Sequence, residues 1–218
     1  MYSDQHWKLL EKLRDEAFEI QRRLCVPSSV YGSVARGDVH QGSDIDIIIF
    51  EAAPSYRLEL GLDQSPLSRE IVQATPNALI KGHIHLSELL TITFPLVPMK
   101  DLEMDFYRYS GCLAGTRLEG RERVAGVSKA LVLVEPTKEG HLECSLLNDP
   151  HSCLKLLGVS GDIIQERVRV LTRRDKVGRT GVFLKAELGE EESFEQKLKT
   201  IADSNNIVRR FLKQRGVT

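Results

Sequence analysis

Apolar residues recur at three- and four-residue intervals at Trp7, Leu10, Leu13, Ala17, Ile20 and Leu24. That spacing paints one face of a helix, and Pro27 ends it. Residues 28–31 predict a short strand. Ile45, Ile47, Ile48, Ile49 and Phe50 are β-branched or aromatic and predict a second, buried one. Residues 51–65 carry no period and are expected to form an irregular connection. Ser65 as an N-cap and Pro66 in the first turn predict a helix over 66–73. Residues 78–98 return to strand, with Leu90-Thr91-Ile92-Thr93-Phe94 alternating apolar and polar. Residues 100–109 read two ways. A strand over 102–109 puts Glu103, Asp105, Tyr107 and Tyr109 on one face, and a helix is the alternative.

Glycines and arginines over 115–126 read as a loop or linker. Residues 129–136 and 142–147 predict paired strands about a turn at 137–141. Leu154, Leu156 and Leu157 precede Gly158 and Ser160, and Ile163, Ile164, Val168 and Leu171 follow. A glycine turn and a serine cap between two apolar-faced helices is a helix-turn-helix pattern. It resembles the winged helix-turn-helix domains of transcription regulators, with the basic stretch 173–184 as the wing. From 151 to 188 basic residues exceed acidic ones by four, while the whole chain has a net charge of −1. Such local charge predicts contact with RNA or DNA phosphates. The alternative is a packing module with solvated arginines. Gly161, Asp162 and Gln165 make a poor base-reading set, which argues against sequence-specific recognition. Residues 190–216 place acids early and bases late, as a helix dipole favours, with a break expected at Ser204-Asn205-Asn206. The expected organisation is an α+β protein: a small mixed-sheet core over 1–110, a connecting hairpin segment over 111–150, and a smaller winged helix-turn-helix-like domain over 151–218.

With 218 residues, 41% hydrophobic and 28% charged, the composition is that of an ordinary soluble protein. No membrane-spanning stretch or secretion signal is evident, and a cytoplasmic protein is expected. Cys25, Cys112, Cys144 and Cys153 are scattered and read as reduced thiols. His141, Cys144, His151 and Cys153 do not have zinc-site intervals, so no zinc is expected.

The chemistry concentrates in Tyr31-Gly32-Ser33-Val34-Ala35-Arg36-Gly37 and Ser43-Asp44-Ile45-Asp46. A glycine turn with a serine hydroxyl offers phosphate-binding donors without steric cost. Asp44 and Asp46, one residue apart on a strand, point to the same face. Together they can bind Mg²⁺, which bridges carboxylate and phosphate oxygens.

Gly-Ser, ten residues, then Asp-x-Asp resembles the signature of the minimal nucleotidyltransferases of the DNA polymerase β superfamily, of an archaeal type, over residues 28–50. The resemblance implies that Gly32 and Ser33 hold the β and γ phosphates of a nucleoside triphosphate, ATP being the expected one. Arg36, Gly37 and Ser43 would complete the nucleotide-binding set. It also implies two Mg²⁺ on Asp44 and Asp46 and a third carboxylate on the adjoining strand. Asp105 is the choice for that third ligand and base, with Glu88 and Glu103 as alternates and a missing ligand as a further alternative. The implied reaction is attack by an acceptor hydroxyl on the α-phosphate with release of pyrophosphate. The acceptor is left open between an RNA end, a protein side chain and a small molecule. A nucleotide-sensing or nucleic-acid-binding regulator is the other reading, and the third carboxylate discriminates the two.

Overall fold

The computed structural model describes residues 1–24, 26–119, 121–178 and 181–217. Helix α1 (Asp4–Arg23) starts where the Ser3 hydroxyl accepts the His6 N–H, and it buries Leu10, Arg14, Ala17 and Ile20. Strand β1 (Ser29–Tyr31) leads through a bend into the one-turn helix α2 (Ser33–Arg36), and β2 (Ile45–Ile48) carries the second aspartate. Then follow α3 (Ser55–Leu60), β3 (Ser68–Gln73), β4 (Ile80–His85), β5 (Leu90–Pro95), α4 (Asp101–Tyr109), β6 (Cys112–Ala114) and α5 (Gly115–Glu119). The remainder comprises β7 (Gly126–Val127), β8 (Val132–Thr137), β9 (Gly140–Ser145), α6 (Pro150–Leu157), α7 (Gly161–Val177), β10 (Leu184–Glu187), α8 (Phe194–Ser204) and α9 (Asn206–Gln214). The fold is α+β with a mixed sheet flanked by helices, as the sequence predicts.

The main sheet runs β10-β3-β4-β5-β2-β1-β6. The β2–β5 pair is parallel and the other pairs are antiparallel. Its two faces differ in kind. Val30, Ile45, Ile47, Ile71, Ile80, Ile84, Ile92 and Phe94 are buried in one core with residues of α1, α3, α8 and α9. Gly82 sits among them, where a Cβ would overlap the Phe94 ring, so glycine lets two aromatic rings (Phe94 and Phe194, centroids 4.9 Å apart) close over β4. The intervening residues, Asp46, Thr91, Thr93, Lys81, His83, His85 and Glu70, line the opposite face, since strand side chains alternate.

Four local expectations change. Residues 66–73 contain a strand rather than a helix: Ile71 and Gln73 alternate inward and β3 pairs with β4, which outweighs the Ser-Pro start signal. Residues 51–65 contain α3, too short to show a period, with only Leu58 and Ser55 buried. Residues 100–109 form a helix, so Asp105 does not lie on a strand. Helices α6 and α7 flank a turn at Gly158 and Ser160, but residues 173–177 continue α7 and β10 joins the edge of the main sheet beside β3. Arg179 and Thr180 of the expected wing lie outside the described residues.

The expected boundaries at 110 and 150 therefore do not separate the sheet. Strands β6 and β10 belong to it, and Phe194, Leu198, Val208 and Phe211 pack in its core. A second core joins Tyr109 of α4, Leu133 of β8, Cys153 of α6 and Ile163, Ile164 and Leu171 of α7. The β8–β9 hairpin forms as the sequence predicts, with β7 beside it. The carboxy-terminal helix divides at Asn205, whose side chain accepts the Ile207 and Val208 N–H groups. No described helix is long and apolar enough to cross a membrane.

Candidate functional site

Strand register brings the two motifs together. Tyr31 pairs with Asp46 across the antiparallel β1–β2 ladder. The ladder ends there: β1 leaves into the Gly32 bend at the end of the sheet where Asp44 leads into β2, so the two motifs share that end. Gly32 makes the bend at φ +83° and ψ −146°, a conformation open to glycine and strained for other residues. No heavy atom lies within 4 Å of where a Cβ would stand on it, so the bend faces open space. Its N–H donates to the Gly111 carbonyl (2.9 Å). The amides of Ser33 and Val34 head the helical turn that follows.

Other members of the expected nucleotide set hold the scaffold. Ser43 is buried, and its hydroxyl accepts the His40 N–H (2.8 Å), closing the turn that delivers Asp44 to β2. Gly37, at φ +101°, caps α2 with its N–H on the Ser33 carbonyl. Arg36, expected at a phosphate, is engaged within the fold. Its guanidinium is buried, donates to both Asp38 oxygens (3.0 and 2.9 Å) and donates to the Ser110 carbonyl (2.6 Å). With its donors so engaged it braces the bend.

Asp44 is exposed and Asp46 is half-buried. Burial first, and the Asp44 charge second, push the Asp46 carboxyl up to about 6, against the pull of Lys129, Lys81 and His85. Two carboxylates crowded this way make a place for a cation. Lys81 is half-buried, and burial lowers the value of its ammonium against the charges of Asp46 and Glu103. Tyr31 and Tyr107 meet edge to face at 4.9 Å beside the acids.

The third carboxylate is a different matter. Strand β5, the parallel neighbour of β2, presents Thr91 opposite Asp46 and Thr93 opposite Ile48. Asp105 sits on α4, where it accepts the Ser160 N–H (3.0 Å) and an Arg108 N–H (3.2 Å). It thus ties α4 to the start of α7. Glu103 is clamped by both terminal nitrogens of Arg215. Glu88 is exposed in the β4–β5 turn. Among the described residues no three His, Cys, Asp or Glu are grouped to hold a metal ion. The His141 ring instead meets the Tyr2 hydroxyl and Glu143, while Cys153 is buried in the second core. Cys112, Cys144 and Cys153 are free thiols, and Cys25 lies outside the described residues. We expect Asp105→Asn to lower the melting temperature by a few degrees, because the charged acceptor of the Ser160 N–H and of Arg108 is lost. Nucleotide transfer, measured beside it, should stay within about threefold of the parent protein.

Several site residues escape the motif reading. Lys81, His83 and His85 alternate with Ile80, Gly82 and Ile84, a two-residue period that marks one face of a strand. Arg14 stands in the apolar stripe of α1, where a charge is out of place. It donates to the carbonyls of Val34 and Ala35 (3.2 and 3.3 Å) and so clamps α2 from behind. Lys129, exposed in the loop between β7 and β8, has no sequence signal that links it to Asp46.

No curated protein and no solved structure matches the chain. Residues 19–109, from the end of α1 through β1, the bend, β2 and β5 to α4, match the family model of the nucleotidyltransferase domain, and this match supports nucleotidyl transfer as the chemistry of the site.

Proposed function

We propose that the protein is a Mg²⁺-dependent nucleotidyltransferase that moves a nucleoside monophosphate from a triphosphate, ATP first among them, to an acceptor hydroxyl. The observation that supports this reading is that Tyr31 pairs with Asp46, so that the Gly32 bend leaving β1 and Asp44 leading into β2 lie at the same end of the sheet. The donor set fits Mg²⁺: two carboxylate side chains leave coordination positions for water and phosphate oxygens. Bound there, the metal would offset charge on the phosphates and the departing pyrophosphate. The chain's own part is positional. The bend presents Ser33 to the phosphates, Lys81 and Lys129 add positive charge beside Asp46, and the β2 backbone holds Asp46, with Asp44 just ahead of it.

The acceptor reading favours a polyanion. Exposed Arg169, Arg173, Arg174 and Lys176 line α7, and Arg167 on the same helix is close enough to Lys81 to act on its charge. An RNA or DNA strand lying along residues 151–188 would approach Asp46 from that side. A protein hydroxyl is the second acceptor class. The setting we propose is cytoplasmic.

A sensing regulator is the second reading. It is favoured by the threonines of β5, where an acid would complete a metal site. To separate the two, purified protein is incubated with Mg²⁺, each α-labelled nucleoside triphosphate, and total cellular RNA or protein. Label on either fraction that is lost in the Asp44→Ala, Asp46→Ala double variant is the expected result. Saturable triphosphate binding without label transfer would give the site to the regulator. Transfer retained by the double variant would exclude the assignment.

A further inference from the structure

A row of polar side chains crosses the sheet on the face that bears Asp46. Register sets Thr91 opposite Asp46 and His85 opposite Thr91. The Thr91 hydroxyl and His85 Nδ1 are 2.9 Å apart. On its other side, His85 Nε2 lies 3.5 Å from Glu70 Oε1, and Lys185 Nζ holds Glu70 Oε2 at 2.8 Å. Glu70 itself is three strands from Asp46, about 14 Å at ordinary strand spacing, too far to share its ligands.

Each contact restricts the next. Burial raises the Glu70 carboxyl, but the hydrogen bond and charge of Lys185, with those of His85, outweigh it and hold the group below its ordinary value. An ionised Glu70 favours a hydrogen on Nε2, which leaves the Nδ1 lone pair facing Thr91. The Thr91 hydroxyl then donates to Nδ1 and keeps oxygen lone pairs for a further donor. Hydroxyl, imidazole and carboxylate in this order can draw a proton from the hydroxyl. His83 is a contrast. Burial, with Lys81 and other neighbours, pushes it down to about 3, and its Nδ1 meets Thr93 at 3.0 Å.

Asp44 and Asp46, once ligating a cation, are poorly placed to take the acceptor's proton as well. Resting on the transfer reading above, we propose that Thr91, His85 and Glu70 form the path by which that proton leaves. As the acceptor oxygen bonds to the α-phosphorus and the bond to the bridging oxygen breaks, pyrophosphate departs with the electron pair. The acceptor proton passes to the Thr91 oxygen while the Thr91 proton passes to His85 Nδ1. The resulting imidazolium is held against Glu70, and it later returns its Nδ1 proton to water. The charged and titratable groups around His85 are Glu70 on β3, with Lys185 of β10 on its far side, His83 on β4, whose ring stacks at 6.0 Å, and Asp46 on β2.

The test uses the full chain with Mg²⁺, α-labelled ATP and whichever of total RNA or total protein the parent chain labels. We expect His85→Gln and Thr91→Val each to lower kcat about 100-fold, with KM for ATP within threefold. Thr91→Ser should restore most of what Thr91→Val loses. Independently of activity, imidazole ¹⁵N shifts should show His85 carrying hydrogen on Nε2, with the Nδ1 signal moved in Thr91→Val. An unchanged kcat in His85→Gln, or hydrogen on Nδ1 in the parent protein, overturns the proton path alone. A parent chain that binds ATP but labels neither fraction, with the expected ¹⁵N signature intact, overturns the transfer reading instead.

Discussion

Asp46→Asn should lose nucleotide transfer by about a thousandfold and yet melt at a higher temperature than the parent protein when both are metal-free at pH 7.5. The loss follows from removing the half-buried carboxylate of the pair. The gain follows from the same burial. A carboxyl raised from 3.8 to about 6 in the folded chain carries an ionisation penalty of roughly 3 kcal/mol. The sign is that of a group whose folded value lies above its unfolded one. It stabilises most below about 3.8, and that contribution is lost as pH rises through about 6, so at pH 7.5 the ionised pair opposes folding. An amide of similar shape relieves the conflict, for a rise of about 5 °C. Added Mg²⁺ should raise the melting temperature of the parent and leave the variant nearly unmoved. Scanning calorimetry with EDTA and then Mg²⁺ reads both effects. A variant that melts lower without metal would contradict the crowding of Asp46 by burial and Asp44, and one that keeps a tenth of the activity would remove Asp46 from the proposed metal site.

The second large effect concerns the bend. Gly32→Ala places a Cβ on a residue at φ +83° and ψ −146°, with a strain of about 1–3 kcal/mol. Because nothing surrounds that position within 4 Å, the added methyl meets no protein atom and stands in the space beside Ser33. If a triphosphate occupies that space, transfer should fall about 100-fold while the melting temperature drops only a few degrees. Gly158 offers the comparison. It also has a positive φ (+61°) and open surroundings, but lies in the α6–α7 turn. Gly158→Ala should lower the melting temperature modestly and leave ATP turnover unchanged. Equal losses of activity in the two variants would mean that strain, rather than blocked approach of the phosphates, accounts for the Gly32 result.

Local signals were readable where one element carried them whole. The stripe of α1, the isoleucines of β2, the β8–β9 hairpin and the Gly158–Ser160 turn each declare themselves within a few residues, and the structure contains them. Signals failed where a partner strand decided the state. Residues 66–73 have a helix-start composition but become β3 because β4 is alongside. The basic stretch after α7 was open to a wing, yet residues 184–187 complete the edge of the main sheet, more than a hundred positions from their partner β3. Asp105 would share a face with Glu103 and Tyr107 only on a strand. The helix turns it toward Ser160 instead.

By itself the sequence determined the bend, the acid pair and the strand between them, because a glycine at positive φ and alternation along a strand are properties of adjacent residues. Only the tertiary structure decided what surrounds the pair. Strand order brought Thr91, His85 and Glu70 into one row and set Lys81 and Lys129 beside Asp46, whereas Arg36, Asp105 and Glu103 were drawn into hydrogen bonds elsewhere. The physical reason is that pairing across a sheet and burial of a charge depend on residues distant along the chain, and no local pattern encodes which of them will meet.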